Sequence, residues 1–261
     1  MKYYSTNKQA VEASLQEAVV KGLAPDKGLY MPEKIKKLPD SFFEKIDKLT
    51  FPEIAYTVAE SFFGEDIESD ILKDIVSDTL SFDTPLIHIH DNIYSLELFH
   101  GPTLAFKDVG ARFMARLLAY FIRKQGQKDV KVLVATSGDT GSAVANGFLG
   151  VEGIQVYVLY PKGKVSDIQE CQFTTLGQNI IAIEIDGTFD DCQAIVKNAF
   201  MDEELNRKLN LTSANSINIA RFLPQAFYYF HAYAQLKRMG KAREIVVSVP
   251  SGNFGNLTAG L

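Results

Sequence analysis

His100-Gly101-Pro102-Thr103-Leu104-Ala105-Phe106-Lys107-Asp108 sets one lysine between a β-like stretch, 87–99, and a helical pattern. That pattern repeats apolar residues at Val109, Phe113, Leu117 and Phe121, with arginines at 112, 116 and 123. Asp108 is a good helix-starting residue, which predicts Lys107 at or just before the N-terminus. The positive end of the helix dipole and partial burial both disfavour an ammonium ion and lower its pKa. A lysine so placed becomes a neutral amine able to form a Schiff base with an aldehyde cofactor. The same residues also allow a lysine that begins a helix and only reaches solvent.

Three further stretches bear on that choice. Ala135-Thr136-Ser137-Gly138-Asp139-Thr140-Gly141-Ser142 follows a strand pattern and opens a helix. Its hydroxyls, glycines and helix start suit a bound carboxylate. Pro250-Ser251-Gly252-Asn253-Phe254-Gly255-Asn256 repeats the arrangement near the end. Glycines there let the backbone approach closely and take positive φ, so that successive amides converge on an anion such as phosphate. The Gly-x-Gly-x-x-Gly spacing of a dinucleotide loop is absent, and no Gly-Lys-Ser/Thr follows. A plain strand–turn–helix link without ligand is the competing reading. Asn215-Ser216-Ile217-Asn218-Ile219-Ala220-Arg221 precedes or opens a long helical pattern. Arg221 offers a planar fork suited to phosphate, with Asn215 and Ser216 as neutral donors. Its plain alternative is a surface arginine.

Taken in this order, the stretches resemble the lysine, substrate and phosphate loops of the fold-type II enzymes of pyridoxal phosphate, most closely the threonine synthase family. Gln16-Glu17-Ala18 and Gly22-Leu23-Ala24-Pro25-Asp26-Lys27-Gly28-Leu29-Tyr30-Met31-Pro32 resemble that family's N-terminal signature. The resemblance covers the whole chain. It implies Lys107 as the catalytic residue that anchors pyridoxal 5'-phosphate and serves as base at the substrate's Cα. It implies Ser251, Gly252, Asn253, Phe254, Gly255 and Asn256 around the cofactor phosphate. Ser137, Gly138, Thr140 and Gly141 would take the substrate carboxylate; Asn215, Ser216 and Arg221 would take the substrate's own phosphate. Many fold-type II enzymes carry Asn, against the cofactor's phenolic oxygen, where this chain has Asp139. An ionised Asp139 there repels a phenolate or shares a proton with it; a helix cap is its alternative. The implied reaction turns O-phospho-L-homoserine and water into L-threonine and phosphate. The other readings are a related lyase, either a threonine dehydratase or an O-phosphohomoserine phospholyase, and a non-catalytic fragment that binds phospho-amino acids.

Composition narrows the classes independently. The 261 residues suffice for one large domain or two smaller ones. Lys+Arg 27 against Asp+Glu 32 gives a formal charge of −5, without the basic footprint that nucleic acid requires. No apolar run reaches membrane-spanning length, and Met1 to Ser5 lacks the apolar core of a signal peptide. Cys171 and Cys192 make no disulfide framework, and neither they nor the four histidines show a metal-ligand pattern. A reduced, cytoplasmic setting and no metal are the expectations. Oligomeric state is left open.

Residues 1–83 predict a small, mostly helical N-terminal domain, with helices over 11–20, 42–49, 54–62 and 67–80. From 84 the pattern becomes α/β. Strands are predicted at 130–135, 154–160, 180–185 and 245–249, and helices at 142–148, 165–176, 189–200 and 217–239, the last broken at Pro224. Such alternation argues for parallel sheets flanked by helices. The resemblance places a smaller mobile α/β domain at 129–208 inside a larger cofactor domain made of 84–128 and 209–261. Leu257 and Leu261 fall just inside a helical pattern that then stops. The chain is accordingly expected to be an N-terminal portion of the enzyme; the resemblance implies that it then lacks the partner of the pyridine nitrogen, which those enzymes supply from a later segment, and that it is inactive or nearly so by itself.

Overall fold

A computed structural model describes residues 1–126, 129–215, 218–252 and 254–261. Where a mostly helical region with loops is expected at the start, a three-stranded antiparallel sheet is present. Its central strand β1 (Lys2–Ser5) pairs with β2 (Ala13–Ser14) and β3 (Tyr30–Pro32). These strands are too short to show a period; β1 buries only Tyr3 and Ser5. Helix α1 (Leu15–Lys21) starts later than expected because Ser14 and Glu17 form a capping box and fix the boundary. Gly22, with φ 70°, ends it.

Helix α2 (Asp40–Lys45) runs into a 3₁₀ turn, Ile46–Lys48. A second capping box, Thr50 with Glu53, opens α3 (Phe51–Phe63), and α4 (Ser69–Thr79) packs against it. Strands β4 (Leu86–His90) and β5 (Ile93–Leu96) then form an antiparallel hairpin. Helix α5 (Lys107–Gln125) follows, with Val109, Phe113, Leu117 and Phe121 all buried, as their spacing of four predicts. Gly126, at φ 63°, terminates it.

The central α/β layer comprises β6 (Val130–Ala135), α6 (Asp139–Phe148), β7 (Ile154–Pro161), α7 (Asp167–Thr174), β8 (Ile180–Ile185), α8 (Phe189–Met201), α9 (Glu203–Lys208) and β9 (Asn210–Ser213). The four strands are parallel in the order β8-β7-β6-β9. Val132 and Val134 face the main core, while Ala135 packs with Cys192 and Val196 of α8 on the opposite face. Both faces are therefore covered, which suits an all-parallel sheet. Strand β9 and helix α9 are too short and polar to stand out in the sequence.

The long pattern 217–239 breaks where Pro224 demands it: α10 (Ile219–Phe222), a 3₁₀ turn Leu223–Gln225, then α11 (Ala226–Arg238). Residues 245–249 correct the sequence reading. They form no strand, and Val246 is 93% exposed. Branched side chains favour a ladder but do not make one, and among the described residues no strand lies beside them. The short helix α12 (Gly255–Thr258) closes the chain. No helix among the described residues is long and apolar enough to cross a membrane.

Candidate active site

Helix α5 begins at Lys107 itself, and Phe106 is its N-cap without a side-chain cap bond. Asp108 is therefore not the cap. Buried at the first turn, it faces back into the preceding loop. Its Oδ2 accepts from the Thr103 amide at 3.0 Å and its Oδ1 from the Thr103 hydroxyl at 2.5 Å. The loop is also held from the far side, where the Tyr228 hydroxyl donates to the Phe106 carbonyl at 2.7 Å. Gly101 is required in this turn, because a Cβ there would sit 2.4 Å from Asp108 Oδ2.

These contacts aim Lys107 into a half-buried position with 22% of its side chain exposed. Burial is the largest influence on its pKa and pushes it down; Asp139 pulls it up, and Arg221 pushes it down again. Of the two influences expected from the sequence, burial acts here, joined by the positive charge of Arg221. Nζ lies 3.9 Å from Asp139 Oδ2 and 5.7 Å from the centre of the Phe106 ring.

Asp139 opens α6 at the C-terminal end of β6. The loop between them turns on Thr136, a buried side chain whose hydroxyl oxygen accepts from the Gly138 amide at 2.9 Å and the Gly141 amide at 2.7 Å. Gly138 has φ 143°, a conformation side chains rarely adopt. Ser137 is exposed and Thr140 half-buried on this same loop. The Asp139 carboxylate accepts a hydrogen bond from Gln169 of α7.

Arg221 is not a surface arginine: it is 1% exposed. Its Nη1 donates to the Ala214 carbonyl, its Nε has no partner, and among the described residues no carboxylate pairs with it. Burial lowers its pKa to about 10, which leaves it charged at neutral pH. A buried, unpaired guanidinium is costly, so an anion beside it is favoured. The segment bearing it is well braced. Asn218 donates to the Val19 carbonyl of α1 at 2.9 Å and accepts from the Ala220 amide at 3.0 Å. The Asn215 amide donates to the Ser213 hydroxyl at 3.3 Å. Gly110, one turn into α5, lies against α10: a Cβ there would be 2.3 Å from the Arg221 carbonyl oxygen.

The structure therefore brings Lys107, Asp139 and Arg221 into one electrostatic neighbourhood. Asn215 leads into the segment of Arg221, and α12, next to the glycine loop, packs against α10. In that loop Phe254 takes φ 56°, Ser251 donates to Asn256 Oδ1, and the Asn256 amide donates to the Pro250 carbonyl at 3.0 Å. A Cβ at Gly252 or Gly255 would meet nothing within 4 Å, so open space borders both. The amine of Lys107 suits an aldehyde and the room at the glycine loop suits its phosphate, which leaves the unpaired Arg221 for a second anion. Ser216 and Asn253, expected at the two phosphate sites, lie outside the described residues. Sequence reasoning missed Gln169, Asn218 and Tyr228. Each acts through a contact at least 30 residues away along the chain, for which no local spacing exists.

Residues 2–80 match the family model described as Threonine synthase N terminus, and residues 79–260 match that of Pyridoxal-phosphate dependent enzyme. Threonine synthase of Escherichia coli (strain K12) is 47% identical over 261 residues, 100% of this chain and 60% of that protein. Threonine synthase of Schizosaccharomyces pombe is 42% identical over 272 residues, 99% of this chain and 53% of that protein. Among solved structures, PLP-bound threonine synthase from Brucella melitensis superposes with a TM-score of 0.90 at 38% identity, covering 100% of this chain and 57% of that one. The chain thus spans 60% or less of the length of each of these relatives. The region 79–260 makes up most of the chain and carries Lys107, Asp139 and Arg221, and by that match the chain belongs to the family of pyridoxal-phosphate dependent enzymes.

Proposed function

We propose that the protein works as a threonine synthase, converting O-phospho-L-homoserine and water to L-threonine and phosphate with pyridoxal 5'-phosphate. The observation that carries this reading is the pairing of a half-buried Lys107 with a fully buried Arg221 that has no carboxylate partner among the described residues. One supplies an amine of lowered pKa, the other a fixed positive charge for a phosphorylated substrate. Likeness to threonine synthases along the whole chain supports the choice of substrate.

Lys107 would hold the cofactor, and Ser251, Gly252, Phe254, Gly255 and Asn256 would receive its phosphate, with Asn253 in the same loop. When bound, pyridoxal phosphate supplies an electron sink that stabilises negative charge at the substrate's Cα. Lys107 Nζ takes the Cα proton and serves next at Cβ. Ser137, Gly138, Thr140 and Gly141 orient the substrate carboxylate. Arg221 and Asn215, with Ser216 beside them, hold the phosphate that leaves from Cγ. Asp139, 3.9 Å from Lys107 Nζ, raises the proton affinity of that amine. Residues 129–208 are taken as the smaller, mobile domain and 84–128 with 209–261 as the cofactor domain. The reading carries a cytoplasmic location with it.

Product analysis is the test. It uses this chain and a chimera extended by the remaining segment of the Escherichia coli relative, each given O-phospho-L-homoserine and pyridoxal phosphate. The chimera is expected to form threonine and phosphate in equal amounts. Formation of 2-oxobutyrate in place of threonine would assign elimination without rehydration and overturn the reading.

A further inference from the structure

Two glutamines three residues apart on α7 reach the two loops that form the site. Gln172 Nε2 donates to the Thr103 carbonyl at 3.3 Å, in the loop before Lys107. Gln169 Nε2 donates to Asp139 Oδ1. The Ser166 hydroxyl donates to Gln169 Oε1 at 2.9 Å, which fixes the amide's orientation. The Gln169 backbone carbonyl also accepts from the Ser142 hydroxyl at 3.2 Å. Gly138 makes this approach possible, since a Cβ there would lie 2.4 Å from Gln169 Oε1 and 2.7 Å from its Nε2.

The result is an arrested ion pair. One Asp139 oxygen is held by Gln169, and the other stands 3.9 Å from Lys107 Nζ, beyond hydrogen-bond distance. The charged groups facing Lys107 are Asp139 from α6 and Arg221 from α10. Asp108, the next residue, is turned away and occupied by Thr103. Nothing repulsive between lysine and carboxylate explains the gap; opposite charges at this range attract. A restraint on Asp139 does explain it.

We propose that Gln169 is a positioning residue that holds the Asp139 carboxylate just short of contact with Lys107, keeping the amine available to an aldehyde. The part that concerns the aldehyde rests on the function proposed above; the restraint itself does not. Without the amide, the carboxylate closes on the lysine, and the ammonium form is stabilised.

The test follows reductive methylation of Lys107 by formaldehyde and cyanoborohydride, read by mass spectrometry of its peptide, from about pH 6 to about pH 11. No cofactor is needed. In Gln169→Leu the midpoint of Lys107 reactivity is expected to rise by about one pH unit, which slows modification near neutral pH about tenfold. Gln169→Asn, one methylene too short to reach, is expected to shift the same way and serves where the leucine variant melts early. Asp139→Asn is expected to lower the midpoint, and Gln169→Leu combined with Asp139→Asn to match Asp139→Asn alone. A midpoint unchanged or lowered in both Gln169 variants, or a double variant that keeps the rise, overturns the proposal. Failure of the cofactor reading shows itself separately, as borohydride fixing pyridoxal phosphate to a lysine other than Lys107.

Discussion

At the scale of single residues, Lys107 and Arg221 carry the sharpest predictions. Lys107→Ala is expected to abolish borohydride-fixed attachment of pyridoxal phosphate to the chain, measured as loss of the added mass on the 107 peptide. Arg221→Ala, tested in the active chimera, is expected to weaken capture of phosphohomoserine by about 1.5–3 kcal/mol, the range for a charge-assisted contact. Attachment at Lys107 is expected to survive that substitution; equal loss of both would put Arg221 in the cofactor site or the core. Thermal melting controls for misfolding, since a buried arginine also packs. The two residues were not equally legible. Lys107 stands at a loop–helix junction whose apolar period is visible in sequence. The burial of Arg221 is set by α1 and α5, distant in the chain, and its residue type alone suggests a surface.

At the scale of elements, α11 offers a prediction outside the site. His231 is 4% exposed, stacked on Phe51 at 4.1 Å, with neither ring nitrogen hydrogen-bonded among the described residues; Asp83 stands 3.6 Å away. Burial, opposed by Asp83, lowers its pKa from 6.5 to about 4. The unfolded chain therefore takes up a proton near pH 6.5 that the folded protein refuses until about pH 4. Stability contributed by the neutral ring is full above that window and is lost as pH falls through it, by about 3 kcal/mol in all. Urea unfolding of His231→Phe is expected to show a shallower loss of stability between those pH values than the parent. The helices were legible from their dense apolar spacing, but two of their starts were not: the capping boxes of Ser14 with Glu17 and Thr50 with Glu53 put them at Leu15 and Phe51, where spacing alone suggests 11 and 54. The N-terminal sheet was not, since strands of two to four residues carry too few alternations. Residues 245–249 misled in the other direction. Their composition favours a strand, but pairing decides the matter.

At the scale of the whole molecule, a parallel sheet followed from the alternation of patterns and the break from Pro224, while the order of the strands did not. The described chain leaves 245–249 without a neighbouring strand and Phe254 exposed within the glycine loop. A cofactor bound to a loop so lightly supported loses contacts while its ordering cost remains. Titration of the 261-residue chain with pyridoxal phosphate, followed by visible absorbance, is expected to show weak binding and little threonine formation; the chimera is expected to bind more tightly. Gly110 adds a consequence of another kind. With no side chain between them, α5 and α10 meet backbone to backbone, so the cation of one and the amine of the other share a single mechanical frame. Alanine at 110 would favour the helix by about 1 kcal/mol in isolation, yet here it must wedge the two axes apart. The smallest residue in the helix thus works as a spacer gauge, setting how closely the backbones that carry the lysine and the arginine approach.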